Sequence, residues 1–170
     1  MVEFARLVRD VPDFPRPGIL FRDVTPLLRD ALAFRSAVDL MAAPFLDKGV
    51  DQVVAIESRG FLFGAPIALV LGAGFVPVRK AGKLPHLTYR STYDLEYDSA
   101  EIEIHRDALA QHRVLLVDDV LATGGTLQAA LDLIGKTGST VVGISVFIEL
   151  TGLKGRNRLD GCPVFPVIKY

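Results

Sequence analysis

The stretch Val114-Leu-Leu-Val-Asp118-Asp119-Val-Leu-Ala-Thr123-Gly124-Gly125-Thr126 reads as an apolar strand that stops at two adjacent carboxylates, followed by a small-residue turn and a helix start. In the helix, Thr126–Lys136, Leu127, Ala130, Leu131 and Ile134 form one apolar face. Gly124 and Gly125 permit tight turning and let backbone N–H groups face a ligand without side-chain obstruction. Those N–H groups, the hydroxyls of Thr123 and Thr126, and the helix dipole together suit a phosphate monoester. Carboxylates beside a phosphate would repel it, so Asp118 and Asp119 are expected to face neutral hydroxyls or a divalent cation. A sugar phosphate satisfies both ends of the motif. A lone Asp-Asp or Gly-Gly would be an ordinary strand end or turn; the full arrangement carries the reading.

Working outward, three more short β-branched runs share the continuous apolar character of a strand buried on both faces: Gln52–Ile56, Gly74–Val78 and Thr140–Ile148. Helical patterns lie between them. Asp30–Lys48 starts at a plausible N-cap and ends at Gly49, with Pro44 expected to bend or shorten it. Ala65–Leu71 reads as a shorter helix with Pro66 in its first turn. Strand alternating with helix predicts a single α/β domain over 1–170, with a twisted, mostly parallel sheet flanked by helices. In such sheets chemistry is sought just beyond the carboxyl ends of the strands. Two segments fall outside the layers. Val11–Pro26, rich in proline and aspartate, reads as an extended cap, so residues 1–28 form a small N-terminal hood. Lys80–Tyr97 is long and polar, with a weak hairpin signal at Leu95–Tyr97 and Glu101–His105; a connection of that length is expected to be a flexible lid.

Composition narrows the class. Of 170 residues, 50% are hydrophobic and 23% charged, and 19 basic residues against 20 acidic ones give a net charge of -1. A chain of this size buries about two-thirds of its unfolded surface. The balance argues against duplex nucleic acid as the main partner while allowing a local anion site. One cysteine, Cys162, permits no internal disulfide and no cysteine metal cluster. The charged N-terminus lacks a signal-peptide core, and the apolar stretch 61–78 is broken by Gly64, Pro66, Gly72 and Gly74. A soluble cytoplasmic domain without membrane association is the expectation. Gly135-Lys136-Thr137 ends like a P-loop, but Ala130 stands where that motif needs glycine. His86, His105 and His112 have no metal-ligand or nucleophile–base spacing and receive no role.

The Asp118–Thr126 pattern resembles the phosphoribosyl-diphosphate loop (114–126) of the type I phosphoribosyltransferases. Three further segments are similar to adenine phosphoribosyltransferases in particular: Asp13-Phe-Pro-Arg-Pro-Gly-Ile-Leu-Phe-Arg-Asp23-Val-Thr-Pro-Leu27, Glu57-Ser-Arg-Gly-Phe-Leu-Phe-Gly64, and Arg79-Lys-Ala-Gly-Lys-Leu-Pro85 with Tyr93-Asp-Leu-Glu-Tyr97. Glu149-Leu-Thr-Gly-Leu-Lys-Gly-Arg156 is a weaker match. The segments keep the family's order and spacing, so the resemblance covers nearly the whole chain. It implies the type I phosphoribosyltransferase fold and the conversion of adenine and 5-phosphoribosyl 1-diphosphate to AMP and diphosphate.

The resemblance also implies roles. Phe21 stacks on adenine, the backbone of Leu20 and Arg22 reads its edge, and Leu150 packs on the other side. Asp118 and Asp119 hold the ribose hydroxyls, and Ala122, Thr123, Gly124, Gly125 and Thr126 hold the 5′-phosphate. Arg59 reaches the base and diphosphate region and is assigned, with Glu96, to catalysis. Arg79 and Lys83 face diphosphate. Glu96 lies near adenine N7 as a proton carrier, and Tyr97 sits on the lid. Mg²⁺ is the implied cofactor, held mainly by substrate and water, and a homodimer is the implied assembly. The family often has arginine where Ala81 stands, so this loop carries one fewer cation. Physical chemistry supports the set independently: an aromatic face contributes about 1–3 kcal/mol per stacked base. Cations beside departing diphosphate stabilise charge that grows in the transition state. Two alternatives stay open: a transferase for another base, and a purine-sensing regulator that keeps the loop without catalysis.

Overall fold

The computed structural model describes residues 2–95, 98–159 and 161–170. A seven-stranded sheet forms from β3 (Gln52–Ile56), β4 (Gly74–Lys80), β5 (Thr88–Leu95), β6 (Asp98–His105), β7 (Arg113–Leu121), β8 (Thr140–Glu149) and β9 (Val164–Lys169); a separate antiparallel pair, β1 (Arg9–Pro12) and β2 (Leu20–Asp23), precedes it. The order across the large sheet is β5-β6-β4-β3-β7-β8-β9. The five strands from β4 to β9 pair in parallel, while β6 runs antiparallel to both β4 and β5. The α-helices are α1 (Thr25–Arg29), α2 (Ala31–Ala42), α3 (Arg59–Leu71) and α4 (Gly125–Lys136).

The continuous apolar runs have the reason foreseen for them. Along β3, Val53 and Ala55 enter one buried cluster while Val54 and Ile56 enter another. Along β7, Leu115 and Val117 join the first, and Val114 and Leu116 the second. The side-chain period of two therefore feeds a core on each face of the sheet. The first core takes Phe63 of α3 stacked on Phe147 of β8, with ring centroids 5.5 Å apart. The second takes Leu127, Leu133 and Ile134 of α4.

Several boundaries differ from the sequence expectation. The α3 helix begins at Arg59, six residues before the expected start, and Pro66 lies inside it. The hydrogen bond that a proline cannot donate there would reach the carbonyl of Leu62, a half-exposed residue, so water can replace it. α2 does shorten before Pro44, passing into a 3-10 turn over Ala43–Phe45, and the Asp30 carboxylate caps it by accepting from Leu32 and Ala33 N–H groups. Strand β7 does not stop at the carboxylates but runs through them to Leu121. Its β3 partner ends opposite Val117, while pairing with β8 continues to Leu121–Glu149. The acids thus sit on the part of β7 that has lost one neighbour.

The hairpin is also far longer than its sequence signal. Thr88 stands opposite His105, and pairing continues to Leu95 opposite Asp98. Tyr89 and Tyr93 pack against the α4 core, and the Lys136 ammonium donates to the carbonyl of Arg90 at 2.6 Å. About half of the segment expected to be a lid is therefore strand. The last strand, β9, had no reading at all; Pro166 interrupts its pattern, which an edge strand tolerates. No helix among the described residues is long and apolar enough to cross a membrane.

Candidate active site

The site lies where chain segments leave the carboxyl ends of β3, β7 and β8. After β3 come Glu57, Ser58 and Arg59, the last beginning α3. The Arg59 guanidinium reaches in two directions. Its carbon stands 4.7 Å from the ring centroid of Phe21, and its Nε lies 2.9 Å from Asp119 Oδ2. One cation thus joins the hood residue expected under the base to the carboxylate expected at the ribose. Asp119 Oδ2 nevertheless accepts no hydrogen bond, because the Arg59 N–H is not aligned with it. A carboxylate oxygen that is buried and without an aligned donor is costly to hold, and it would accept from a hydroxyl brought to it.

Asp119 is buried, and Asp118 beside it is half-buried. Burial pushes the Asp118 carboxyl well above the usual carboxylate range, and the adjacent Asp119 charge pushes it further. Burial also raises Asp119, although Arg59 opposes it. Asp118 Oδ1 accepts the Asp119 backbone N–H at 2.9 Å.

The turn from Ala122 to Thr126 carries the chain into α4. Gly124 has φ +86°, and no side chain caps the helix. Among the described residues no side-chain acceptor meets the first-turn N–H groups of α4, an arrangement that suits an anion. The left-handed φ is one reason for glycine here. The other is proximity: a Cβ on Gly124 would overlap the carbonyl oxygen of Gly155. Gly155 was given no role from the sequence, although it lies in the weakly matching segment Glu149–Arg156.

Arg79 and Lys83, expected to face diphosphate, converge on Glu57. Arg79 Nε lies 3.1 Å from Glu57 Oε2, which also accepts the Lys80 backbone N–H, and the Lys83 ammonium binds Glu57 Oε1. Burial alone would raise the Glu57 carboxyl, but Lys83, the Lys80 N–H and Arg79 outweigh it and hold it below the usual value. Glu57 is thus an organiser of the cationic loop that residue type alone did not announce.

On the hood, Leu20 is exposed, while Arg22 pairs with Asp10 and lies over the Tyr170 ring, 3.9 Å from its centroid. Leu150 donates its N–H to Leu121 O at 2.9 Å, and the next residue, Thr151, bonds the Tyr170 carbonyl. The two expected walls of the base site are therefore linked through Tyr170, which the sequence reading missed. Glu96 and Tyr97 lie outside the described residues. Among the described residues no group of three or more His, Cys, Asp or Glu side chains could hold a metal ion.

The sequence pattern of the phosphoribosyl transferase domain matches residues 30–165. The adenine phosphoribosyltransferase of Thermobifida fusca (strain YX) is 57% identical over 155 residues, covering 91% of this chain and 88% of that one. The adenine phosphoribosyltransferase of Rhodothermus marinus superposes with a TM-score of 0.94 at 48% identity, over 98% of this chain and 96% of that one. That of Saccharomyces cerevisiae, complexed with an imino-altritol bisphosphate and adenine, gives 0.92 at 41% identity, over 98% and 97% of the two chains. Similarity of this extent spans the hood, the cationic loop and the phosphate turn alike, and this chain therefore belongs to the adenine phosphoribosyltransferases.

Proposed function

We propose that this enzyme joins adenine to 5-phosphoribosyl 1-diphosphate, forming AMP and releasing diphosphate. The contact of Arg59 with both Phe21 and Asp119 carries the reading, because it brings a purine platform and a ribose-hydroxyl acceptor to one guanidinium. Adenine N9 attacks the anomeric carbon from the face opposite the leaving group, and the bond to diphosphate oxygen loosens ahead of attack. The electron pair departs with diphosphate, and the proton that adenine loses from its imidazole ring passes to a general base, the role assigned to Glu96. Positive charge on the sugar is favoured beside Asp118 and Asp119, and negative charge on diphosphate beside Arg79 and Lys83. The protein contributes position and field rather than a covalent nucleophile. Closure of segment 80–97 over the substrates would exclude water, the competing nucleophile.

Magnesium keeps several waters and few protein ligands. The sparse acidic set, with one donorless oxygen on Asp119, fits an ion held by substrate and water, with Asp118 and Asp119 acting through the ribose hydroxyls. When bound, it neutralises charge on the diphosphate.

A base panel with phosphoribosyl diphosphate and Mg²⁺, read by chromatography, tests the assignment. AMP from adenine is expected, with little nucleotide from guanine, hypoxanthine, xanthine or orotate. Product from another base alone would overturn the role of Phe21 and its neighbours. Diphosphate-substrate binding without any product would favour the regulator. Excess chelator is expected to abolish the reaction, and an undiminished rate would reject the metal.

We also infer that the enzyme works as a homodimer in the cytoplasm. Leu62 and Leu69 are exposed on α3, and Phe75 beside them contacts Phe61, so one face of α3 is apolar and uncovered within the chain. Light scattering is expected to return twice the mass of one chain; a single-chain mass at micromolar concentration would reject the dimer.

A further inference from the structure

We infer that the ion pair between the buried Glu149 and the partly exposed Arg156 is a positioning device that holds the 5′-phosphate turn in shape from behind. The inference rests on the assignment of residues 122–126 as that turn.

Strand β8 ends at Glu149, directly beside the start of the turn, since Glu149 pairs with Leu121 and the Leu150 N–H bonds Leu121 O. The chain then makes 3-10 turns at Thr151–Leu153 and Gly155–Arg158, and Lys154 between them adopts a left-handed φ of +52°. This excursion returns Gly155 to the phosphate turn. The approach is backbone against backbone. A Cβ on Gly155 would overlap Ala122 O, and would come within 2.7 Å of Leu121 Cδ1 and 3.0 Å of Gly124 N. A Cβ on Gly124 would overlap Gly155 O from the other side. No side chain could intervene, so the segment 154–156 acts as a fitted wall behind the turn.

Something must hold that wall in place, because two short 3-10 turns have little stiffness of their own. Arg156 binds Glu149 through two nitrogens: Nε to Oε1, and a terminal nitrogen to Oε2 at 2.8 Å. The Glu149 side chain is only 6% exposed, so its charge depends on this partner. The planar fork of arginine fixes direction as well as distance. The pair thus closes the 149–156 loop at its base and presses Gly155 onto Gly124. Neither side chain need touch substrate for this; both act through the turn. Glu57, Arg79 and Lys83, by contrast, lie in the turn after β3, in β4 and in the loop after β4, so the diphosphate side does not rely on the pair.

The test separates the two subsites. Isothermal titration of the full chain would measure ribose 5-phosphate and inorganic diphosphate independently, for wild type, Glu149→Gln, Arg156→Lys and Gly155→Ala. A turn misplaced by a fraction of an ångström is expected to lose ribose 5-phosphate affinity by about tenfold or more in Glu149→Gln and Gly155→Ala. Diphosphate affinity should hold. Arg156→Lys, which keeps the charge but not the fork, should fall between wild type and Glu149→Gln and guards against a variant that does not fold. In turnover, KM for phosphoribosyl diphosphate should rise more than kcat falls. Equal losses at both subsites, or no loss at either, would overturn the inference. Wild-type protein that fails to bind ribose 5-phosphate would instead reject the turn assignment itself.

Discussion

Asp118→Asn is expected to lower kcat/KM for AMP formation while making the unliganded protein more stable at neutral pH. Asparagine keeps an oxygen that can accept the Asp119 N–H, so the local backbone hydrogen bond survives. What it loses is the charge that would hold a ribose hydroxyl and favour positive charge on the sugar. Hydrogen bonds to charged groups contribute about 1.5–3 kcal/mol, so the loss should be about 10–100-fold. Stability moves in the opposite direction. The folded-state pKa of Asp118 is raised, by burial first and by Asp119 second. Its stabilising contribution is therefore complete only below the unfolded carboxylate pKa, and disappears as pH rises through the folded value. Above the unfolded carboxylate pKa the raised carboxyl opposes folding, and asparagine, which does not titrate, removes that opposition. Melting curves should show the variant above wild type at neutral pH, with the gap closing as pH falls towards the unfolded carboxylate pKa. A variant less stable than wild type at neutral pH, or one with unchanged kcat/KM, would refute the account of this carboxylate.

Gly124→Ala is the second change with a large expected effect. Two costs add at this position. A left-handed backbone costs a non-glycine residue about 1–2 kcal/mol. The new methyl group would also overlap the Gly155 carbonyl, and the obstructing atom is backbone rather than a movable side-chain end. The turn must therefore shift, and misplacement on the order of an ångström at a reacting ligand costs about a hundredfold in rate. AMP formation should fall by about that factor, together with ribose 5-phosphate affinity. Gly135→Ala on the same helix is the matching control. A Cβ there meets nothing within 4 Å. The substitution should leave activity intact and add about 0.5–1 kcal/mol of stability from helix propensity. If the two alanine variants behaved alike in activity, the close-packed turn would not be what binds phosphate.

The unliganded site is self-paired: Arg59 rests on Asp119, and Arg79 and Lys83 rest on Glu57. Substrate arrival is then an exchange of partners. Sugar hydroxyls would take up the open oxygen of Asp119, and diphosphate would compete with Glu57 for its two cations. Such exchange limits the cost of desolvating charges, because no ion is left alone in either state.

Much of this was legible in the residues. Four of the sheet strands were readable because burial on both faces demands uninterrupted apolar runs, as in Gln52–Ile56 and Arg113–Val117. The proposed phosphate turn stood out because its signal is local: two acids, two hydroxyls and two glycines lie within a few residues of one another. Of the β5–β6 hairpin, Glu101–His105 gave a weak signal and lies in β6, whereas most of β5 gave none, since Tyr89 and Tyr93 pack on the α4 core within a mostly polar strand. The true start of α3 was hidden by Pro66, whose missing donor falls on an exposed turn.

By itself, then, the sequence determined the class of fold and the run of α/β elements, and it marked the turn as a candidate anion site. Each depends on residues close together in the chain. Only the tertiary structure decided which charges pair, as Glu57 with Arg79 and Lys83, and Arg59 with Asp119, and which backbones touch, as Gly124 with Gly155. It alone brought Tyr170 between the hood and the end of β8. These contacts join residues tens of positions apart, and no local pattern encodes them. They exist because the sheet brings the carboxyl ends of β3, β7 and β8 side by side.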